Sequence, residues 1–216
     1  MTKRILCFGD SLTWGDDPAQ VGHRLEHRWP VTLQNELGPE YTVIEEGQCG
    51  RNIATDDAPE GEKNAIKYIL PCLESHSPLD LVILMLGTNE CKRKFAYSAQ
   101  DIAWEMDRFL QKVWTHRHFR AQDGYRVLLM APPPITDAIH TSWLGDVFEY
   151  DAGRQRSEKL VEWFRQIAAQ HGCAFLNAGD FVTASPLDGI HLDDENQRKL
   201  GIAVARAARE LLCAGE

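Results

Sequence analysis

Arg4-Ile5-Leu6-Cys7-Phe8-Gly9-Asp10-Ser11 reads as a short strand that stops at a glycine and delivers a hydroxyl just past its end. Its apolar residues are continuous from Ile5 to Phe8, the pattern of a strand covered on both faces rather than one with a solvated side. Residues 41–44, 79–86, 126–130 and 173–176 share that grammar, short apolar runs bounded by Gly, Pro or Asn. Longer stretches with a different period lie between them. Ile102, Ala103, Met106, Phe109, Leu110 and Val113 recur at three and four behind a Ser98-x-x-Asp101 capping signal. Leu160, Val161, Phe164, Ile167 and Ala168 do the same ahead of His171-Gly172, a stop. Leu200, Ala203, Val204, Ala207 and Leu211 follow the acidic start Asp193-Asp194-Glu195. A shorter helix is expected over 29–37, ended by Gly38-Pro39.

Strands alternating with helices imply a parallel sheet with helices on both faces. The expected fold is therefore α/β: a three-layer α/β/α sandwich around a five-stranded parallel, flavodoxin-like sheet, with residues 1–216 as one domain. In such sheets a ligand sits beyond the carboxyl ends of the strands, near the reversal in strand order. Two segments resist assignment. Residues 51–64 lack a clear pattern. Past Pro132-Pro133-Pro134, Ile135, Ile139, Trp143, Leu144, Val147 and Phe148 recur at helical spacing and could form a lid, a subunit contact or core. Connections of such length are often functional, and both segments are expected to narrow the entrance through contact between subunits.

Composition bounds the function. The 216 residues carry 23 Lys+Arg and 32 Asp+Glu, a net charge of −9, which disfavours nucleic acid or anionic lipid as the main partner. No apolar run approaches the ~20 residues that cross a bilayer, and the run at residues 5–8 is too short for a secretory leader. Six cysteines without a C-x-x-C pair suit reduced thiols in the cytoplasm, with Cys7 in the core. The pairs His23/His27 and His116/His118 lack a third ligand, so they read as solvated histidines and no metal is expected.

The expected strand ends carry reactive groups. Ser11 follows the first, Gly47 to Gly50 the second and Gly87-Thr88-Asn89 the third; Asp188-Gly189-Ile190-His191 follows the fifth and precedes the last helix. A serine hydroxyl needs a base, and the base an orienting partner. His191 can take the proton, its unperturbed pKa being about 6.5, and Asp188 is one tight turn away. An oxyanion formed on attack needs preorganised donors. The amides of Ser11 and Gly50 and the Asn89 side chain are the candidates. Plainer roles compete: Ser11 as a helix cap, Asp188 as a turn former, Asn89 as an Asx-turn. Asp10 is expected to hold loop backbone, and Trp14 to wall the substrate pocket or to pack in the core.

These four blocks resemble the SGNH/GDSL hydrolases, whose blocks contribute Ser, Gly, Asn and His in that order. Gly9-Asp10-Ser11-Leu12 matches the first block, Gly50 the second, Gly87-x-Asn89 the third and Asp188-x-x-His191 the last. Within the family the likeness is strongest to bacterial arylesterases and the small-ester acyltransferase of mycobacteria. It rests on Arg4 to Gly15, on Val43-Ile44-Glu45-Glu46-Gly47 and on Met85-Leu86-Gly87-Thr88-Asn89. The resemblance implies hydrolysis of small-molecule, short-chain esters, aryl esters included, through an acyl-serine. It also implies acyl transfer to alcohols, no cofactor, and often a homo-oligomer. Two positions depart from the family: Cys49 stands where Gly-x-Ser-Gly has serine, and Glu90 where Asn-Asp has aspartate. Cys49 reads as a packing substitute. The rival readings are a carbohydrate O-deacetylase, a thioesterase and a flavodoxin-like binding module. Against the last, neither G-x-x-x-x-G-K-[ST] nor G-x-G-x-x-G occurs.

Overall fold

The computed structural model describes residues 2–119 and 124–213. Five strands, β1 (Lys3–Gly9), β2 (Tyr41–Gly47), β3 (Leu81–Met85), β4 (Arg126–Ala131) and β5 (Ala174–Asn177), form one parallel sheet in the order β2-β1-β3-β4-β5. Seven helices accompany it: α1 (Ser11–Trp14), α2 (Trp29–Leu37), α3 (Ala65–His76), α4 (Ala99–Phe119), α5 (Gly145–Phe148), α6 (Asp151–His171) and α7 (Asp194–Cys213). Side chains alternate across the pleat. Leu6, Phe8, Val82, Leu84, Val127 and Leu129 pack under α3, α4 and α6. Ile5, Cys7, Leu81, Ile83, Leu128 and Met130 pack under α2 and α7, against Trp29, Leu33, Leu200 and Val204. Burial on both faces explains why the inner strands β1, β3 and β4 read as unbroken apolar runs.

The helix signals work as expected where the caps are strong. Ser98 and Asp101 exchange hydrogen bonds ahead of α4, and Gly172 ends α6 with a left-handed φ of 64°. One helix, α3, was not anticipated. Its buried residues Ala65, Ile69, Cys72 and Leu73 have helical spacing and Asn64 caps it, but Pro71 lies inside and obscures the pattern. The expectation for residues 135–148 needs correction in the other direction. The apolar spacing there gives a 3-10 turn (Asp137–His140) and the one-turn α5 rather than one helix. Glu149 and Tyr150 then take positive φ before α6 begins. Ile139, Leu144 and Phe148 join the core. The histidines also differ from the solvated reading: His116 is buried with its ring 3.2 Å from the Tyr125 hydroxyl, and the His118 side chain lies outside the described residues.

The strand order reverses at β1, which has β2 on one side and β3 on the other. A crevice therefore opens beyond the carboxyl ends of these strands. Gly9 and Gly47 lie opposite one another in the β1–β2 register. Neither has room for a side chain: a Cβ on Gly9 would lie 2.6 Å from the Met85 carbonyl oxygen, and one on Gly47 would lie 2.3 Å from the Trp14 amide nitrogen. This pair is the floor on which the turn carrying Ser11 rests.

Candidate active site

β1 ends at Gly9 and the chain turns at once into α1. Asp10 caps that turn, its Oδ1 accepting the Leu12 amide N–H at 2.9 Å. Ser11 is thereby the first helical residue and not its cap. Gln197 on α7 fixes the turn from behind: its Nε2 donates to the Leu12 carbonyl at 3.0 Å while its Oε1 accepts the Trp29 amide at 2.8 Å. Asp10 is fully buried, and that burial lifts its pKa to about 6 against the pull of the Leu12 amide and His191.

The last block closes on this turn from 180 residues away. Asp188 Oδ1 accepts the amides of Ile190 and His191 at 2.8 and 2.9 Å, which folds the four residues into a tight loop. Its Oδ2 is 2.6 Å from His191 Nδ1, and His191 Nε2 is 2.9 Å from Ser11 Oγ. With a proton on Nδ1 facing the carboxylate, Nε2 is left to accept from the serine hydroxyl. Burial alone would lower the His191 pKa, but Asp188, followed by Asp16 and Asp10, holds it above the ordinary imidazole value. Burial would raise Asp188, yet its bonds to His191 and to the amides keep it below the usual carboxylate range. A continuous hydroxyl–imidazole–carboxylate chain results, oriented for proton transfer.

The donors face the same space. Gly50 has a φ of 77°, a left-handed conformation that calls for glycine. Asn89 lines the same cavity, its Nδ2 donating to the Arg51 carbonyl at 3.2 Å and, at 3.4 Å, to Asp10 Oδ2. It belongs to this network rather than to an Asx-turn of its own. Arg51 had no sequence signal beyond its place after Gly50. Its buried guanidinium donates to the Gly9 carbonyl at 2.9 Å and to that of Glu46, and stacks 4.2 Å over the Phe8 ring. It joins the ends of β1 and β2 beneath the donor loop.

Ser11, Gly50, Asn89 and His191 line one open cavity of about 440 Å³. Its apolar lining comes from Trp143, Leu144, Val147, Phe148 and Ile190, and its charged lining from Asp16, Glu60, Lys63 and Lys92. Glu60 accepts from Lys92 at 2.8 Å and from Lys94 at 2.9 Å, which anchors the 51–64 segment over the site. Trp14 does not line this cavity, contrary to the expectation for a pocket wall. Its backbone is pressed on Gly47 and its ring lies under the Arg24 guanidinium at 5.4 Å. The aromatic wall comes instead from Trp143, which sequence spacing placed only on an ambiguous helical stripe.

A model of the GDSL-like lipase/acylhydrolase family matches residues 7–199. The chain belongs to this family. Among solved structures it is similar to the native aryl esterase of M. smegmatis, at 37% identity and a TM-score of 0.90, covering 97% of this chain and 100% of that one. It is similar also to Est24, a carbohydrate acetylesterase from Sinorhizobium meliloti, at 35% identity and a TM-score of 0.89, covering 97% and 99%. A lipase/acylhydrolase from Enterococcus faecalis shares the fold at 17% identity, with a TM-score of 0.67. No curated protein sequence matches. The chain is a carboxylic ester hydrolase, and the flavodoxin-like binding module is set aside.

This hydrolase handles its two departures from the family pattern without touching the donors. Glu90 is buried and reaches across to the Ile53 amide, so the longer side chain ties the 51–54 stretch to the Asn89 turn. Burial raises its pKa to about 8, the Ile53 bond pulling the other way. Cys49 lines the cavity, but burial, with Asp16 and Asp10, pushes its thiol up to about 12, so it is no nucleophile at neutral pH. Among the described residues one group has metal-ligand chemistry, Glu46, Cys72 and His76, with donor atoms within 4.8 Å of one another. Its members already serve each other: His76 Nε2 is 2.8 Å from Glu46, and the Cys72 thiol is held protonated by burial and by Glu46.

Proposed function

We propose that this hydrolase cleaves short-chain carboxylic esters, aryl esters among them, through an acyl-Ser11 intermediate, without a cofactor. Ser11 attacks the acyl carbon as His191 Nε2 takes its proton, and Asp188 steadies the imidazolium. The oxyanion is met by the amides of Ser11 and Gly50 and by Asn89 Nδ2, which turns one N–H away from its long 3.4 Å bond to Asp10 Oδ2. His191 then protonates the leaving alkoxide. Water, or an alcohol in acyl transfer, releases the acyl group with His191 as base. The observation that carries this reading is the unbroken contact from Asp188 through His191 to Ser11, at 2.6 and 2.9 Å, at the edge of the cavity. The apolar wall from Trp143 to Phe148 supports aromatic leaving groups.

A second reading, a carbohydrate O-deacetylase, draws support from the charged lining, where Asp16, Glu60, Lys63 and Lys92 can hydrogen-bond hydroxyls. Six unpaired cysteines fit a reducing, cytoplasmic setting. Exposed Trp143 and Val147 beside the entrance fit a homo-oligomer, tested by sedimentation at micromolar concentration; a fully active monomer refutes it. The test of the mechanism is hydrolysis of p-nitrophenyl acetate together with fluorophosphonate labelling. Ser11→Ala is expected to lose both, with turnover down by ~10⁴-fold or more, and a wild-type rate in that variant ends the proposal. Phenyl acetate against acetylated sugars then decides between the two readings.

A further inference from the structure

Asp16 has a geometry that the Ser11–His191–Asp188 chain does not use. Its Oδ2 is 3.6 Å from His191 Nε2, the same nitrogen that meets Ser11, and its side chain is only 15% exposed. It lines the cavity beside Ser11. Its backbone is fixed: its amide donates to the Ser11 carbonyl at 3.1 Å, and Asp16 pairs with Arg24 in an antiparallel bridge. Oδ1 accepts the Gly22 amide at 3.3 Å, which leaves Oδ2 turned toward the imidazole.

We propose that Asp16 is a positioning residue for the deacylating nucleophile and selects water over alcohols. This rests on the acyl-Ser11 reading above. Once Ser11 Oγ is esterified, His191 Nε2 has lost its partner and must accept a proton from the incoming nucleophile. A water placed between Nε2 and Asp16 Oδ2 donates one hydrogen to each. Its oxygen bonds to the acyl carbon as the first proton passes to Nε2, and the second stays on oxygen, bonded to Asp16. The tetrahedral adduct then breaks its bond to Oγ, which takes the proton back from Nε2, and a carboxylic acid leaves. An alcohol has one hydroxyl hydrogen. If it is given to Nε2, the alcohol's carbon is turned toward Asp16 Oδ2, which loses its water and gains no hydrogen bond in exchange. The groups facing His191 are thus Ser11 and three acids: Asp188 at Nδ1, Asp16 at Nε2 and Asp10 behind.

The test uses the full chain with p-nitrophenyl acetate and 1-propanol, measuring propyl acetate against acetate formed. Both products leave one acyl-enzyme, so the ratio is independent of the overall rate. Asp16→Leu is expected to raise transfer relative to hydrolysis by ~10-fold, as one charged hydrogen bond is lost. Asp16→Asn keeps the shape and should raise it several-fold. It should also move the acid limb of the pH profile down, because the carboxylate that helps to hold His191 above its ordinary pKa is gone. An unchanged ratio in folded Asp16→Asn overturns the proposal even if Asp16→Leu fails to fold. Absence of fluorophosphonate labelling at Ser11 in the unaltered protein would instead overturn the acyl-serine reading.

Discussion

At the bottom of the crevice Asp10, Ser11, Asn89, Glu90 and Asp188 are all buried, tied into a network that reaches four strand ends or helix starts. At its mouth Trp143 is 66% exposed, in the turn before the one-turn helix α5, and Val147, on that helix, is 37% exposed. The bottom dictates which bond is broken, since its donors and base must stand within fractions of an ångström of productive positions. The mouth touches only what hangs from that bond. An aryl esterase and a carbohydrate acetylesterase share this overall structure, and one fold commonly serves different substrates through its loops.

The comparison is broken most severely at the floor. Asn89→Ala removes the side-chain donor proposed for the oxyanion and leaves the Arg51 carbonyl and Asp10 Oδ2 without its hydrogen bonds. A fall in kcat of ~10²–10³-fold with little change in KM is expected, read by steady-state kinetics on p-nitrophenyl acetate. A large rise in KM with kcat preserved would show that Asn89 belongs to substrate binding, on the side of the rim.

Legibility in the sequence divides along the same line. The inner strands β1, β3 and β4 could be read because burial on both faces leaves an unbroken apolar run; Ser11, Gly50, Asn89, Asp188 and His191, which the fold gathers around one cavity, each fall just past an expected strand or before a helix. Boundaries moved by only a few residues, as for the stretch 79–86, which narrows to Leu81–Met85. What stayed hidden depends on contacts between distant segments. Arg51 and Gln197 show no periodicity that marks them as staples, yet each ties parts of the chain together. Trp14 is close to Ser11 in sequence but is turned away by the end of α1 at Gly15, while Trp143, over a hundred residues on, comes to the cavity. Adjacency along the chain is a poor guide to a rim assembled from loops.

Glu90 sharpens the contrast from the side of stability. A carboxyl with a folded pKa raised to about 8 favours the fold fully below its unfolded value and loses that contribution as pH rises toward 8. At about 1.4 kcal/mol per pKa unit, the loss between pH 5 and 8 is on the order of a few kcal/mol. Glu90→Gln, which keeps an oxygen for the Ile53 amide, should flatten that slope in urea unfolding followed across pH. If the two proteins show the same pH dependence, Glu90 is not held neutral and the floor tolerates charge better than its burial implies.

The smallest effect belongs to the rim, and its selectivity makes it useful. Trp143 is too exposed for its removal to trouble the fold, and changes at such positions are usually within about 0.5 kcal/mol. Its side chain nevertheless belongs to the apolar lining of the cavity with Leu144, Val147 and Phe148. An aromatic leaving group resting there loses one stacking and burial contact in Trp143→Ala, worth ~0.5–1.5 kcal/mol or a few-fold to tenfold in kcat/KM. An ester of a small alcohol, which does not reach the wall, should keep its rate. The measurement is the ratio of kcat/KM for phenyl acetate to that for ethyl acetate, before and after the substitution. A fall in the ratio at unchanged ethyl acetate turnover assigns substrate choice to the mouth. An equal fall for both substrates would mean that Trp143 acts on the Ser11–His191 contact itself, and the division between floor and rim would have to be redrawn.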